Sequence, residues 1–462
     1  MSQSTDSGSR GSFSGRIGFV LAVAGSAVGL GNIWRFPYLA AKYGGGTFLL
    51  VYLILLVTFG FALIMAEITI GRKTRLSPIG AYKYFCQEGK HTGIMLGGWI
   101  NAIVPMIILP YYCVIGGWVI KYLIGYLSGQ GPAVAEDGYF GSFISSSWEA
   151  PAYFMVFFAC TSFIVLKGVD AGVERASRLM MPLLLLLGLC VAIYSMTRPG
   201  ASEGIYYYLV PDFSHFSIMT VVAACGQLFF SLSIAMGILI TYGSYMKKDV
   251  DAEQATSQIE IVDTLVAMLA GFMIIPAVFA FSGADAAEHL NAGPSLMFIT
   301  IPKVFASMGM GSVIGFAFFL MVFFAALTSS VSILEACVST VADETHWSRT
   351  KCILVMSAEA VVIGVPCALG FGPLGFIQLA GMSILDMLDF LSCSVLMPIA
   401  AIATCFLVTR VIGLKEMSEE IKRSSAFKRE AVFRLCITWL APAILIIILV
   451  SSIGSALGLI KI

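Results

Sequence analysis

The strongest limit on what this chain can fold into is set by the stretch from Ala24 to Pro37, AGSAVGLGNIWRFP. It lies inside the first long apolar segment, about where the bilayer midplane falls. Three glycines (Gly25, Gly29, Gly31), an amide (Asn32), a cation (Arg35) and a proline (Pro37) crowd into half a membrane crossing. Each glycine lowers helix propensity by about 1 kcal/mol, and Pro37 removes a backbone donor. Irregular backbone at membrane depth persists only where it is buried in protein or lines a cavity. The stretch is therefore either a defect or a binding site.

The membrane itself follows from composition. The 462 residues are 58 % hydrophobic and only 12 % charged, with a mean hydropathy of +0.92, far from soluble usage. Apolar runs longer than about 18 residues recur. Eleven spans are predicted near 16–41, 44–71, 93–128, 151–167, 171–196, 217–246, 256–283, 310–343, 351–370, 376–411 and 431–457. A short amphipathic piece at 294–306 is expected outside the bilayer. The eleven cysteines show neither CxxC pairs nor Cys/His clusters, so disulfides and metal clusters are not expected.

Lys and Arg concentrate before span 1, after spans 2, 4, 6 and 8, and between spans 10 and 11; the loop 129–150 carries acids only. The positive-inside rule places the N-terminus in the cytoplasm and, with eleven spans, the C-terminus outside. The expected organisation is a cytoplasmic segment 1–15, a ten-helix core 16–411, a cytoplasmic loop 412–430, and an eleventh span with the C-terminus, 431–462.

A second interrupted segment stands five spans later, GQLFFSLSIAMG from Gly226 to Gly237. Glycine and serine also serve close helix packing, but breaks at matching positions in two halves point to inverted repeats, here 16–196 and 217–411, with solute and ions bound between half-helices.

At this point a resemblance is plain. GSAVGLGNIWRFP with Tyr43 to Gly46, the segments 226–233 and 241–245, and Leu327 to Ser330 resemble the signatures of the neurotransmitter:sodium symporters, over nearly the whole chain. The resemblance implies the LeuT fold: all-α, a 5+5 inverted repeat with helices 1 and 6 broken, plus an eleventh span as in prokaryotic members. It implies Na⁺-driven symport of an amino acid by alternating access in a prokaryotic plasma membrane. The bilayer and a small solute are the expected partners, without nucleic acid; the oligomeric state stays open.

By motif match, one sodium site draws on Ala27, Asn32, Ser231 and Asp263, the second on Gly25, Val28, Ala325, Thr328 and Ser329. Such oxygen cages suit a hard cation. For Thr328 and Ser329 the competing role is back-bonding to their own helix. Chloride-dependent members carry Asn where this chain has Asp263, and Ser where it has Ala267, so chloride is not expected as a co-ion. Monoamine carriers place Asp at Gly29; glycine leaves room for a carboxylate, held by amides around Leu30 and Gly31 and by Tyr112. The ligand's ammonium would meet Ala27, Phe230, Ser231 and Ser233. Ser26, Ile108, Met236, Ser329, Ser332 and Ile333 complete a mainly apolar lining for a hydrophobic or aromatic side chain.

The resemblance also implies gates. Arg35 and Asp389 match the outer pair, supported by Gln227, with Asp386 as the competing partner. Arg10 and Asp343 match the inner latch, supported by Tyr245, with Phe13 where a tryptophan is usual. Glu67 is expected to accept hydrogen bonds from unwound backbone. Gly172 and Pro182 flank a stretch of span 5 that similar proteins unwind; a static kink is the equal alternative. Other classes fit less well: no catalytic cluster supports an enzyme, no large soluble domain supports a receptor, and paired gates oppose a channel.

Overall fold

A computed structural model describes residues 11–86, 92–283, 286, 290, 296–379 and 381–456. Among these, nine helices are long and apolar enough to cross a bilayer, from Gly46–Thr74 to Glu430–Ser455. Two further crossings are broken. Arg16–Ala27 and Gly31–Lys42 meet at 52° and form span 1. Ile218–Ser231 and Ile238–Tyr245, separated by residues 232–237, form span 6. Eleven crossings result, with matching breaks in the first helix of each five-helix repeat. No strand occurs among the described residues.

The breaks have local causes. Val28 leaves the first half-helix in an extended conformation, φ −73° and ψ 103°, and the chain turns helical again at Leu30. In span 6, Ser233, Ala235 and Gly237 all take positive φ, at 54°, 59° and 68°. For Ser233 and Ala235 this costs roughly 1–2 kcal/mol each, and neighbouring groups hold them there. The Ala235 N–H donates to Glu67 Oε1 at 2.9 Å, and Ser233 Oγ donates to the Ser26 carbonyl at 3.1 Å. Glu67 of span 2 therefore ties the unwound backbone as the sequence suggests.

Ordinary signals bound the other helices. Ser217 and Thr220 form a capping box ahead of span 6, and Asp251 caps Ala252–Ser282 through the Gln254 N–H at 2.9 Å. Span 10 starts at Ile384 rather than near 376, because Leu379 and Met382 pair in a short bridge and Ser383 caps the helix. The piece expected at 294–306 is helical from Leu296 to Ala306; Pro294 lies outside the described residues. Span 3, Thr92–Leu127, sits at the centre against spans 4, 8, 9 and 10.

Close backbone approach joins span 2 to the second half of span 6. A Cβ on Gly71 would fall 1.9 Å from the Ile240 carbonyl oxygen, and one on Gly243 2.4 Å from that of Ile68. Neither neighbour is a flexible side chain. Gly71→Ala is expected to destabilise the protein by about 1–3 kcal/mol, read as a lower Tm in detergent, whereas Gly141→Ala, in open space, leaves it unchanged.

Candidate functional site

Between the broken helices lies a cavity of about 330 Å³ lined by Ser26, Ala27, Gly29, Leu30, Gly31, Ile108, Tyr112, Phe230, Ser231, Ser233, Met236, Ser329 and Ile333. Every residue expected around the solute is present except Ser332. Its hydroxyl instead accepts from Tyr242 at 2.8 Å and donates to the Thr328 carbonyl at 3.0 Å. Rotation along span 8 turns it toward the packed side of the helix.

The walls are specific. A Cβ on Gly29 would fall 2.6 Å from Ser329 Oγ and 2.8 Å from the Tyr112 hydroxyl. No side chain fits at position 29 beside those two hydroxyls. The Leu30 N–H donates to the Tyr112 hydroxyl at 3.3 Å, so a helix N-terminus and a phenol face the same end of the cavity. Such a pair favours an anionic group. The Phe230 ring lies over Gly31, where a Cβ would come within 2.7 Å. Ile108, Met236 and Ile333 supply the apolar remainder.

Two clusters of oxygens flank this cavity. In the first, Asp263 is fully buried and accepts three hydrogen bonds: from Asn32 Nδ2 at 2.7 Å and Ser231 Oγ at 2.9 Å on Oδ1, and from the Tyr52 hydroxyl at 3.2 Å on Oδ2. Asn32 Oδ1 accepts the Gly29 N–H at 3.0 Å, which orients the amide. Ala27 ends the half-helix beside it. Among the described residues no Lys or Arg pairs with Asp263. In the second cluster, Ser329 Oγ lies 3.3, 3.0 and 3.1 Å from the carbonyl oxygens of Gly25, Ser26 and Val28. Thr328 Oγ1 bonds back to the carbonyls of Phe324 and Ala325, at 3.0 and 3.1 Å, while its Cβ lies beside Gly25. Apart from the Asn32 amide nitrogen, which faces Asp263, both clusters offer oxygen ligands, the set a hard cation prefers.

The two ends of the bundle differ. On the end away from residue 11, Arg35 and Asp389 line the same outer cavity of about 1300 Å³, but no ion pair joins Arg35 to Asp389 or to Asp386. Asp389 accepts the Tyr111 hydroxyl at 3.0 Å, and the Arg35 guanidinium sits 5.5 Å from the Phe230 ring centre. The expected gate pair is thus apart, each group held by a neighbour. Gln227 binds the Gly31 carbonyl at 2.9 Å and steadies the restarted half-helix rather than Arg35. Phe230 and Tyr112 face both the inner and the outer cavity.

The opposite end is sealed. Phe13 is buried, edge-on to Phe19, Tyr242 and Tyr245. The Tyr245 hydroxyl donates to Glu335 at 2.8 Å, and Glu335 pairs with Arg349, which also donates to the Val165 carbonyl at 2.9 Å. Asp343 accepts the Ser77 N–H at 2.7 Å, among other partners; Arg10 lies outside the described residues. Span 5 is wound from Val169 to Met196. Gly172 sits in its opening π-turn and Pro182 inside the helix, so no unwound stretch separates them here.

Comparison with known proteins decides the affiliation. A profile of the sodium:neurotransmitter symporter family matches residues 10–134 and 140–458. The chain belongs to this family. An uncharacterized sodium-dependent transporter of Bacillus subtilis is 33 % identical over 95 % of this chain and 97 % of its own. The human sodium- and chloride-dependent GABA transporter 2 is 26 % identical over 94 % and 78 %. The crystal structure of MhsT in complex with L-phenylalanine superposes with a TM-score of 0.86 at 34 % identity, over 96 % of this chain and 100 % of that one. This symporter is a sodium-dependent, multi-pass membrane transporter of LeuT fold and not an enzyme.

Sequence reasoning missed Tyr52 and the Glu335–Arg349 pair. Tyr52 reads as one more aromatic in an apolar span, and only its distance to Asp263 marks it. Tyr52→Phe removes a hydrogen bond to a charged group, worth about 1.5–3 kcal/mol. The variant is expected to be destabilised by about that amount, read as a lower Tm of the symporter in detergent.

Proposed function

We propose that this sodium-dependent symporter imports a hydrophobic or aromatic L-amino acid into a prokaryotic cell by alternating access, coupled to two Na⁺ and independent of chloride. The observation that carries the reading is Asp263: a buried carboxylate beside both helix breaks, with three hydrogen-bond donors and no basic partner. A buried charge left unpaired is costly. A cation held by Asp263, Asn32, Ser231 and Ala27 would neutralise it in place. Chloride would then add a second negative charge where one is already fixed.

The second sodium would lie among the carbonyls of Gly25, Val28 and Ala325 and the hydroxyls of Thr328 and Ser329. Both hydroxyls would rotate their protons away to present lone pairs. A zwitterionic amino acid fits the cavity between the sites: carboxylate toward Leu30, Gly31 and Tyr112, ammonium toward Ser26, Ser233 and the unwound carbonyls, side chain among Ile108, Met236 and Ile333. The complex of MhsT with L-phenylalanine supports an apolar side chain.

The sealed end carries the basic loops, and the positive-inside rule supports a cytoplasmic location for it. The present form is then open outward, with Arg35 and Asp389 poised to close over Phe230 and the ligand. The working division is the segment 1–15, the core 16–411, the loop 412–430 and the eleventh span from 431. One Na⁺ moved inward gains about 2.3 kcal/mol per 100 mV. Two ions supply about 4.6 kcal/mol, enough for more than hundredfold accumulation.

Proteoliposomes with a panel of labelled amino acids and an inward Na⁺ gradient test this. Saturable uptake of apolar or aromatic amino acids is expected, abolished by replacing Na⁺ with K⁺ and unchanged when gluconate replaces chloride. Asp263→Asn is expected to lower uptake at least about tenfold, and adding Ala267→Ser to make the residue of activity chloride-responsive. No Na⁺-dependent flux for any amino acid would sink the reading.

A further inference from the structure

The loop between spans 10 and 11 takes part in no site described above, yet it meets a fully buried cation. Span 10 ends at Ile412, and Gly413 turns the chain with φ 87°. A Cβ there would meet open space, so the positive φ alone calls for glycine. A short helix follows, Leu414–Lys422, with Met417, Glu420 and Ile421 on its buried side. Glu420 is 2 % exposed and Arg72, near the end of span 2, is fully buried. Arg72 Nε lies 3.3 Å from Glu420 Oε1, and Nη2 donates to the Glu420 carbonyl. Its Nη1 donates to the Val250 carbonyl at 3.2 Å and to Ser424 Oγ at 3.1 Å. Next to it, Lys73 pairs with Glu416 at 2.5 Å. Arg72 thus pins the loop to span 2 and to the segment that leads into span 7.

A second fastening stands at the far end of the loop. Glu253, in the first turn of span 7, accepts the N–H groups of Lys428 at 2.7 Å and Arg429 at 3.0 Å. The Arg429 guanidinium donates to Ser257 Oγ at 2.6 Å and to Glu260 Oε2 at 3.0 Å, and it lies 3.4 Å from the Phe61 ring centre in span 2. Glu253, Ser257 and Glu260 recur at helical spacing, so one face of span 7 receives the loop. Span 11 begins at the next residue, Glu430. Farther along, it packs against span 10 and the first half of span 6. Spans 2 and 7 are joined to each other as well, through Thr256 Oγ1, which donates to Met65 Sδ at 3.0 Å.

We propose that the loop 413–429 is a strap that makes span 11 part of one body with spans 2, 6 and 7, and that span 10 is the joint between this body and the central span 3. Sliding span 11 past span 2 would leave Arg72 buried without its carboxylate and Glu253 without its two donors, which is strongly destabilising. Span 10 packs on span 3 and is interrupted by two π-turns, Phe390–Leu396 and Leu407–Ile412. Such turns are where helices bend, and Gly413 follows the second directly. Bending there, or turning about Gly413, breaks none of the ion pairs of the strap. The inference rests on the alternating-access reading and adds which elements travel together in it.

Double electron–electron resonance on the full chain in lipid nanodiscs tests this. Spin labels are carried in pairs by a ketone-bearing amino acid placed at Lys248, Thr350 or Glu419, all exposed. These positions stand before span 7, at the start of span 9 and in the strap. Distances are read in Na⁺ and in K⁺ alone. The Lys248–Thr350 and Thr350–Glu419 distances are expected to shift together between the two ions, while the Lys248–Glu419 distance stays fixed. Glu420→Gln combined with Arg429→Gln weakens both fastenings and is expected to broaden the Lys248–Glu419 distribution. A Lys248–Glu419 distance that changes between the ions in the wild type overturns the proposal and leaves alternating access standing. So does a Thr350–Glu419 distance that stays fixed while Lys248–Thr350 shifts, or a double variant whose Lys248–Glu419 distribution is as narrow as that of the wild type. A Lys248–Thr350 distance equal in both ions defeats the alternating-access reading and this proposal with it. Should the double variant not fold, the wild-type distances decide alone.

Discussion

Backbone polar groups at membrane depth must be satisfied without bulk water, and the whole interior of this transporter answers to that constraint. Breaking spans 1 and 6 frees amides and carbonyls, and several of them are met by side chains placed for them. Glu67 takes the Ala235 N–H, Ser233 and Ser329 reach the Ser26 carbonyl, Gln227 takes that of Gly31, and Tyr112 receives the Leu30 N–H. The partners come from spans 2, 3, 6 and 8. The breaks can exist only inside the finished bundle, which is why two strained residues such as Ser233 and Ala235 persist there.

From that arrangement the rest follows. Groups that satisfy unwound backbone also form oxygen-lined clusters and a small cavity, so structural repair and binding use the same atoms. Ser329 illustrates the double use: its hydroxyl stands among three carbonyls of span 1, where it can donate to one of them or, in the proposed site, help ligate a cation. Asp263 has the opposite character. Three donors orient it but leave its charge unbalanced, and that imbalance is what the proposed coupling to Na⁺ exploits.

The two faces are stabilised by different means. The outer groups Arg35 and Asp389 are held apart by single weak partners, a ring face and a phenol. The sealed end uses an aromatic plug at Phe13 and the half-buried Glu335–Arg349 pair.

Much of this was legible in the chain. Apolar runs gave the crossings within a few residues, except for the start of span 10, which lies eight residues later at Ile384, and paired breaks at Gly25–Gly31 and Ser231–Gly237 located the cavity, because matching interruptions in two halves are more than helix packing requires. Three things escaped. Ser332 faces Tyr242, since a helix position one step from the cavity can turn either way. Arg35 and Asp389 stand apart, because a motif names gate residues but not their momentary distance. Tyr52 and Glu335 carry no local signal at all. The sequence by itself determined an all-helical, eleven-span membrane protein with two interrupted helices, because hydropathy and helix-breaking residues act over a few turns. Only the tertiary structure decided which side chains meet the freed backbone groups and which end is closed, because those contacts join residues such as Ser26 and Ser329, 303 positions apart, whose pairing depends on how the helices pack.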